Sequence, residues 1–258
     1  MPTVLDSKQL DSKQLDAKRE TTSSAAVEDP RQRLIVALDV SSAAAAQKIV
    51  AAVGDSAFTF KVGMQLYTAE GPQIVRDLVA SGRRVFLDLK YHDIPHTVGS
   101  AVTEAAKLGV SMLTVHASGG SRMLRSAVDA AKANPKLIVL AVTVLTSFDQ
   151  NDLEEVGQGN SIEASVLRLT RIARSLGCGG IVASAREAPA VRREFGHGFA
   201  LVTPGVRPAG SSVEDQVRVV TPAEAIAAGS SHIVVGRPIT HAPDPAAAAR
   251  AILDQMRS

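Results

Sequence analysis

A chain of 258 residues, 45% hydrophobic and 21% charged, has ample core for one large α/β domain or two small ones. Its 28 Lys and Arg stand against 26 Asp and Glu, and only 3% of residues are aromatic with no Trp, so neither a nucleic-acid face nor an anionic-membrane face is expected. No apolar run approaches the roughly 20 residues of a membrane span, which excludes an integral membrane protein built on helices.

The first residues differ from the rest. Leu5-Asp6-Ser7-Lys8-Gln9 recurs as Leu10-Asp11-Ser12-Lys13-Gln14 and, in part, as Leu15-Asp16-Ala17-Lys18, followed by Thr21-Thr22-Ser23-Ser24. Such a polar repeat cannot bury enough apolar surface to order itself, so residues 1–30 are expected to form a low-complexity, disordered tail. It has no apolar h-region for a signal peptide, and Asp6, Asp11, Asp16 and Glu20 disfavour a transit peptide. Residues 31–258 are expected to form one folded domain. Cys178 is the single cysteine, which rules out an internal disulfide and suits a reducing cytoplasm. Its place in Gly177-Cys178-Gly179-Gly180 reads as a small packed residue.

From Leu34 onward, short β-branched runs alternate with longer Ala-rich amphipathic stretches. The pattern predicts strands near 34–40, 58–63, 85–90, 112–117, 137–144, 180–184, 200–204 and 233–236. It predicts helices near 42–53, 71–81, 98–108, 121–133, 162–176, 186–193, 222–228 and 245–256. Eight such pairs have the count and length of a (β/α)₈ TIM barrel, an α/β fold. The alternative, an open doubly wound sheet, usually carries a Gly-rich phosphate loop after its first strand. Here that strand leads to Asp39-Val40-Ser41-Ser42, with no G-x-G-x-x-G nearby.

A barrel of this kind places its chemistry where strands end. Asp39 lies at the end of the first predicted strand, Lys61 lies in the second before Val62-Gly63, and Thr146 and Ser147 follow the fifth. The third is the most unusual, running Phe86-Leu87-Asp88-Leu89-Lys90-Tyr91-His92-Asp93-Ile94-Pro95. Alternate strand residues share a face, so Asp88 and Lys90 should emerge side by side. A half-buried charge costs several kcal/mol unless partnered, and the expected pairs are Lys61 with Asp88 and Asp88 with Lys90.

The last two strands supply cationic and backbone donors. Pro204-Gly205-Val206-Arg207-Pro208-Ala209-Gly210 reads as a mobile loop followed by Gln216, and Gly236-Arg237-Pro238-Ile239 follows the last strand. Glycine N–H groups and an arginine fork suit a phosphate dianion. Arg237 is the first candidate, with Gln216 and Arg207 closing over it.

With these motifs in order, Asp88-x-Lys90-x-x-Asp93-Ile94-Pro95, Lys61-Val62-Gly63, Leu145-Thr146-Ser147, Thr203 to Pro208 and Gly236 to Ile239, the chain resembles the orotidine 5′-phosphate decarboxylase family over residues 31 to 256. The resemblance implies a homodimeric (β/α)₈ enzyme, without metal or organic cofactor, that makes UMP and carbon dioxide in pyrimidine synthesis. It implies that Asp39 and Lys61 contact the ribose, that Asp88 sits against the substrate carboxylate, and that Lys90 protonates C6. Asp93, with Ile94 and Thr97, would reach the partner's active site, making the sites shared. Thr146 and Ser147 would face the pyrimidine, Pro204 and Arg207 would belong to the closing loop, and Gln216, Gly236 and Arg237 would hold the phosphate.

Two other readings remain open. Metal-dependent decarboxylases or aldolases of keto-sugar phosphates share the Asp-x-Lys-x-x-Asp segment, but carry a magnesium-binding carboxylate on the second strand, where this chain has Lys61. A non-catalytic nucleotide-binding dimer would be expected to have lost a charged residue of the cluster. His92 and His96 lack a third partner for a zinc site. Tyr67 reads as packing, His116 at the end of the fourth strand as either a core imidazole or a group facing the site, Asp149 to Glu155 as a solvated loop, and His197 and His241 as belonging to no constellation.

Overall fold

The β-branched runs pair in chain order, each parallel to the next. They form β1 (Leu34–Ala37), β2 (Thr59–Gly63), β3 (Arg84–Tyr91), β4 (Met112–His116), β5 (Ile138–Val142), β6 (Gly180–Val182), β7 (Ala200–Thr203) and β8 (His232–Val235). β8 pairs back onto β1, with Leu34 opposite Ile233, so the sheet is a closed barrel. The structure, a computed structural model, describes residues 29–208 and 220–257.

Helices cross between consecutive strands where the periodicity places them, and local capping explains several of their starts. The Ser42 hydroxyl accepts from Ala45 N–H at the head of Ala43–Val53, and Ser161 accepts from Ala164 N–H at the head of Ile162–Ser175. Asp244 caps Pro245–Gln255, with proline in the first turn, where its missing N–H has no cost. The apolar stripes of these helices meet the outer face of the barrel in one large cluster that includes Phe60, Leu113, Met123, Leu124 and Ile252.

The inside of the barrel follows from the period of two. Ile35, Ala37, Phe86, Met112, Leu140, Val202 and Val234 form a separate apolar layer. Two residues further along their strands, Phe86 is followed by Asp88 and Met112 by Thr114. The apolar layer is therefore the floor on which polar groups stand at the C-terminal end of the barrel.

Three segments differ from the sequence expectation. Pro30 begins a short helix, Pro30–Arg33, with Asp29 accepting from Arg31 N–H as its cap, so ordered structure starts inside the segment assigned to the tail. A further helix, Met64–Glu70, lies between Gly63 and Gly71; seven residues are too few for a helical period to register. The stretch expected as a solvated loop contains the helix Gln150–Glu155. Asp149 and Asp152 form a reciprocal capping box there and Leu153 is buried, which together outweigh the local charge repulsion. Cys178 is buried and its thiol is pushed up to about 12 by desolvation, in keeping with a packing role. No helix among the described residues is long and apolar enough to cross a membrane.

At the opposite, N-terminal mouth, His232 is buried, with Nδ1 2.9 Å from the Ser231 hydroxyl. Desolvation first, then the charges of Arg84 and Arg33, lowers its pKa to about 4. The folded protein therefore holds a neutral imidazole that the unfolded chain protonates below about 6.5. Stability is full above that pH and falls as the pH drops from about 6.5 through about 4, by roughly 3 kcal/mol for this group. Urea unfolding at pH 7 and pH 4.5 should show His232→Asn losing less stability between the two than wild type. Equal losses would assign the acid sensitivity elsewhere.

Candidate active site

The floor and the strand ends enclose a cavity of about 400 Å³ at the C-terminal mouth, a size suited to a small metabolite. Ala37, Phe86, Val182 and Val234 line its apolar side, while Asp39, Lys61, Asp88, Lys90, Thr146, Arg207 and Arg237 bring polar and charged groups. Seven elements of sequence far apart thus converge on one space.

At its centre is a chain of alternating charge. Lys61 Nζ donates to Asp39 Oδ1 at 2.7 Å and lies 4.0 Å from Asp88 Oδ2, and Lys90 Nζ donates to that same oxygen at 2.9 Å. The expected neighbours are therefore together, but the closer partner of Lys61 is Asp39. Side-chain exposure is 11% for Lys61 and 14% for Asp88, so neither charge is freely solvated. For pairs this buried, desolvation and attraction are each worth several kcal/mol and nearly cancel, which makes the cluster a poor source of stability. Its alternation of sign suits it to a charged ligand instead.

The close approach of Asp88 and Lys90 does not come from simple strand alternation. β3 and β4 pair Leu87 with Leu113 and then Tyr91 with Val115, so Asp88, Leu89 and Lys90 face Thr114 alone. This bulge turns Lys90 into the left-handed region, φ 52°, the only non-glycine there among the described residues. Such a conformation costs about 1–3 kcal/mol and persists only where surrounding contacts impose it. Thr114 was missed by the sequence reading, although its place two residues after interior Met112 marks it as facing inward.

Close packing around Lys61 explains a glycine. A Cβ on Gly63 would stand 2.9 Å from Lys61 Nζ, so a side chain there would displace the ammonium. At the far side of the cavity, Arg207 is buried, and its N–H bonds to Val220 O at 3.0 Å, tying the two described ends of the loop together. Pro204, Gly236 and Arg237 line the same side. His241, which the sequence placed in no constellation, also lines the cavity, at the C-terminal end of the short helix Arg237–Thr240. Arg207 and Arg237 both line this wall, and guanidinium forks there suit a phosphate dianion.

The remaining predicted residues lie apart. Asp93 and Ile94 line a separate surface hollow with His92, Ser118 and Arg122; Thr97 is exposed on the following helix. The Asp93 carboxylate accepts from Ile94 N–H at 2.6 Å, and Ile94 is 66% exposed. Ser147 is exposed and does not line the cavity, and Gln216 falls outside the described residues. His116 sits at the end of β4 with its ring 5.2 Å from that of His92. Burial above all, then the His92 and Lys90 charges, lowers its pKa from the usual histidine value.

Comparison with known proteins places this geometry among relatives. The model of the orotidine 5′-phosphate decarboxylase / HUMPS family matches residues 32–252. The orotidine 5′-phosphate decarboxylase of Halorhodospira halophila is 53% identical over 221 residues, 85% of this chain and 94% of its own. That of Anaeromyxobacter dehalogenans is 54% identical over 223 residues, 86% and 97% of the two chains. The crystal structure of orotidine 5′-phosphate decarboxylase from Lactobacillus acidophilus superposes with a TM-score of 0.79 at 39% identity, covering 88% of this chain and all of that one. An uncharacterized conserved protein from Geobacillus kaustophilus gives 0.75 at 35% identity, over 86% and 99%.

Proposed function

The chain belongs to the orotidine 5′-phosphate decarboxylase / HUMPS family, and on that premise we propose that it decarboxylates orotidine 5′-phosphate to UMP in the cytoplasm, as the last step of UMP synthesis. The observation that carries this reading is Lys61. Its ammonium lies between the Asp39 and Asp88 carboxylates, where a divalent cation of the metal-dependent relatives would need oxygen ligands and would meet a like charge.

The substrate phosphate lies against Gly236 and Arg237, with Arg207 and Gln216 closing from the loop. Asp39 and Lys61 take the ribose hydroxyls, Thr146 and Ser147 face the pyrimidine, and Pro204 belongs to the closing segment. The substrate carboxylate sits against Asp88. When the bond from C6 to the carboxylate breaks, carbon dioxide leaves and the electron pair stays on C6. The Lys90 ammonium, held by Asp88, stabilises that charge and gives C6 a proton; solvent then reprotonates the amine. The charge network and the remote phosphate contacts together supply the lowering of the barrier, which for enzymes generally amounts to about 8–23 kcal/mol.

Asp93, Ile94 and Thr97 complete the site of a second copy. Ile94 is a large apolar side chain left open to solvent beside an acidic group, as an interface residue would be in an isolated protomer. The homodimer is then the catalytic unit, and residues 31–258 supply its catalytic domain.

The test is to incubate chelator-treated protein with orotidine 5′-phosphate and follow UMP by chromatography, with magnesium and keto-sugar phosphates as parallel arms. UMP formation unaffected by the chelator supports the assignment. Turnover of a keto-sugar phosphate only after magnesium is restored would transfer the chain to its metal-dependent relatives, and nucleotide binding without turnover would make it a binding protein.

A further inference from the structure

The bulge in β3 leaves the Lys90 N–H without a strand partner, because three residues of β3 face the single residue Thr114 of β4. The Thr114 hydroxyl takes that place. Lys90 N–H donates to Thr114 Oγ1 at 2.9 Å, and the same hydroxyl donates to Asp88 Oδ1 at 2.9 Å. Asp88 uses its other oxygen, Oδ2, to accept from Lys90 Nζ, also at 2.9 Å. The three contacts form a closed circuit: backbone of the lysine, threonine hydroxyl, aspartate, ammonium of the lysine.

We propose that Thr114 is the positioning residue of the decarboxylation, holding Lys90 in its left-handed conformation and fixing the Asp88 carboxylate so that the ammonium points into the cavity. The proposal rests on the assignment of Lys90 as proton donor. Thr114 is fully buried and is not among the residues lining the cavity, so it acts on substrate only through Asp88 and Lys90. A hydroxyl can do this because its single oxygen accepts from one group while donating to another. Each hydrogen bond in such a circuit polarises the next, and loss of one oxygen leaves both an N–H and a carboxylate oxygen unsatisfied.

The experiment compares Thr114→Val, which keeps the shape, with Thr114→Ser, which keeps the hydroxyl. Kinetics with orotidine 5′-phosphate are measured on the full chain, alongside UMP affinity and the fraction of folded protein. Thr114→Val should lower kcat by about 30- to 100-fold through misplacement of the ammonium, with KM and UMP affinity within about threefold, and Thr114→Ser should restore kcat to within about threefold of wild type. Equal kcat for Thr114→Val and wild type, or equal losses in Val and Ser, would overturn the proposal. If Thr114→Val does not fold, Thr114→Ala and Thr114→Ser differ by one oxygen atom, and equal kcat in that pair overturns it as well. An inactive wild type would instead overturn the assigned reaction, so the two failures are distinguishable.

Discussion

Replacing Lys90 by alanine should lower kcat for orotidine 5′-phosphate by about 10⁴-fold or more, with the protein still folded. A positioned general acid contributes about 10²- to 10⁴-fold, and an electrostatic group aimed at developing charge about 10²- to 10³-fold. Lys90 is asked to do both, and its Nζ already stands 2.9 Å from Asp88 at the edge of the cavity. The fold should survive, because Asp88 keeps its bond from the Thr114 hydroxyl and the Lys61 ammonium 4.0 Å away. Lys90→Arg would keep the charge but put it on a guanidinium that does not release a proton near neutral pH, so it should be nearly as inactive. Steady-state kinetics and thermal melting check both. A folded Lys90→Ala protein within tenfold of wild type would remove the lysine from the chemistry.

The second large effect concerns two chains. Asp93→Ala should lower kcat by about 10²- to 10³-fold as a charged contact of the reacting centre, although in the single chain Asp93 lies in a hollow separate from the cavity. Co-expression of Lys90→Ala and Asp93→Ala chains with different tags gives mixed dimers that can be isolated. One site of each then pairs an intact Lys90 with an intact Asp93, and the other has neither, so activity should return to about half that of the wild-type dimer. Recovery is not possible if each barrel works alone. A mixed dimer no more active than its parents would assign Asp93 to its own subunit or to no active site.

Much of this was readable before the fold was known, for physical reasons that differ between segments. The barrel is legible because each strand is a β-branched run set between Ala-rich periodic stretches. The site is legible because Asp88, Lys90 and Lys61 are charges in apolar strands, where charge is too costly to occur without a task. The bulge was not legible. Leu87-Asp88-Leu89-Lys90 alternates like any strand, and its left-handed lysine is imposed by Thr114, 24 residues away. The helix Gln150–Glu155 was hidden by its acidic composition, which reads as solvated, whereas the capping box and buried Leu153 depend on spacing. His241 was hidden because it reaches the cavity wall through the helix Arg237–Thr240, which is too short for a helical period to register.

The most direct measurement is the isotopic content of the product. Chelator-treated wild-type protein in heavy water should consume orotidine 5′-phosphate and release an equal amount of UMP carrying one deuterium at C6, because the proton delivered there comes from an exchanged Lys90 ammonium. Unchanged substrate in the presence of folded dimer, or UMP that forms only when a divalent cation is added back, would contradict the account.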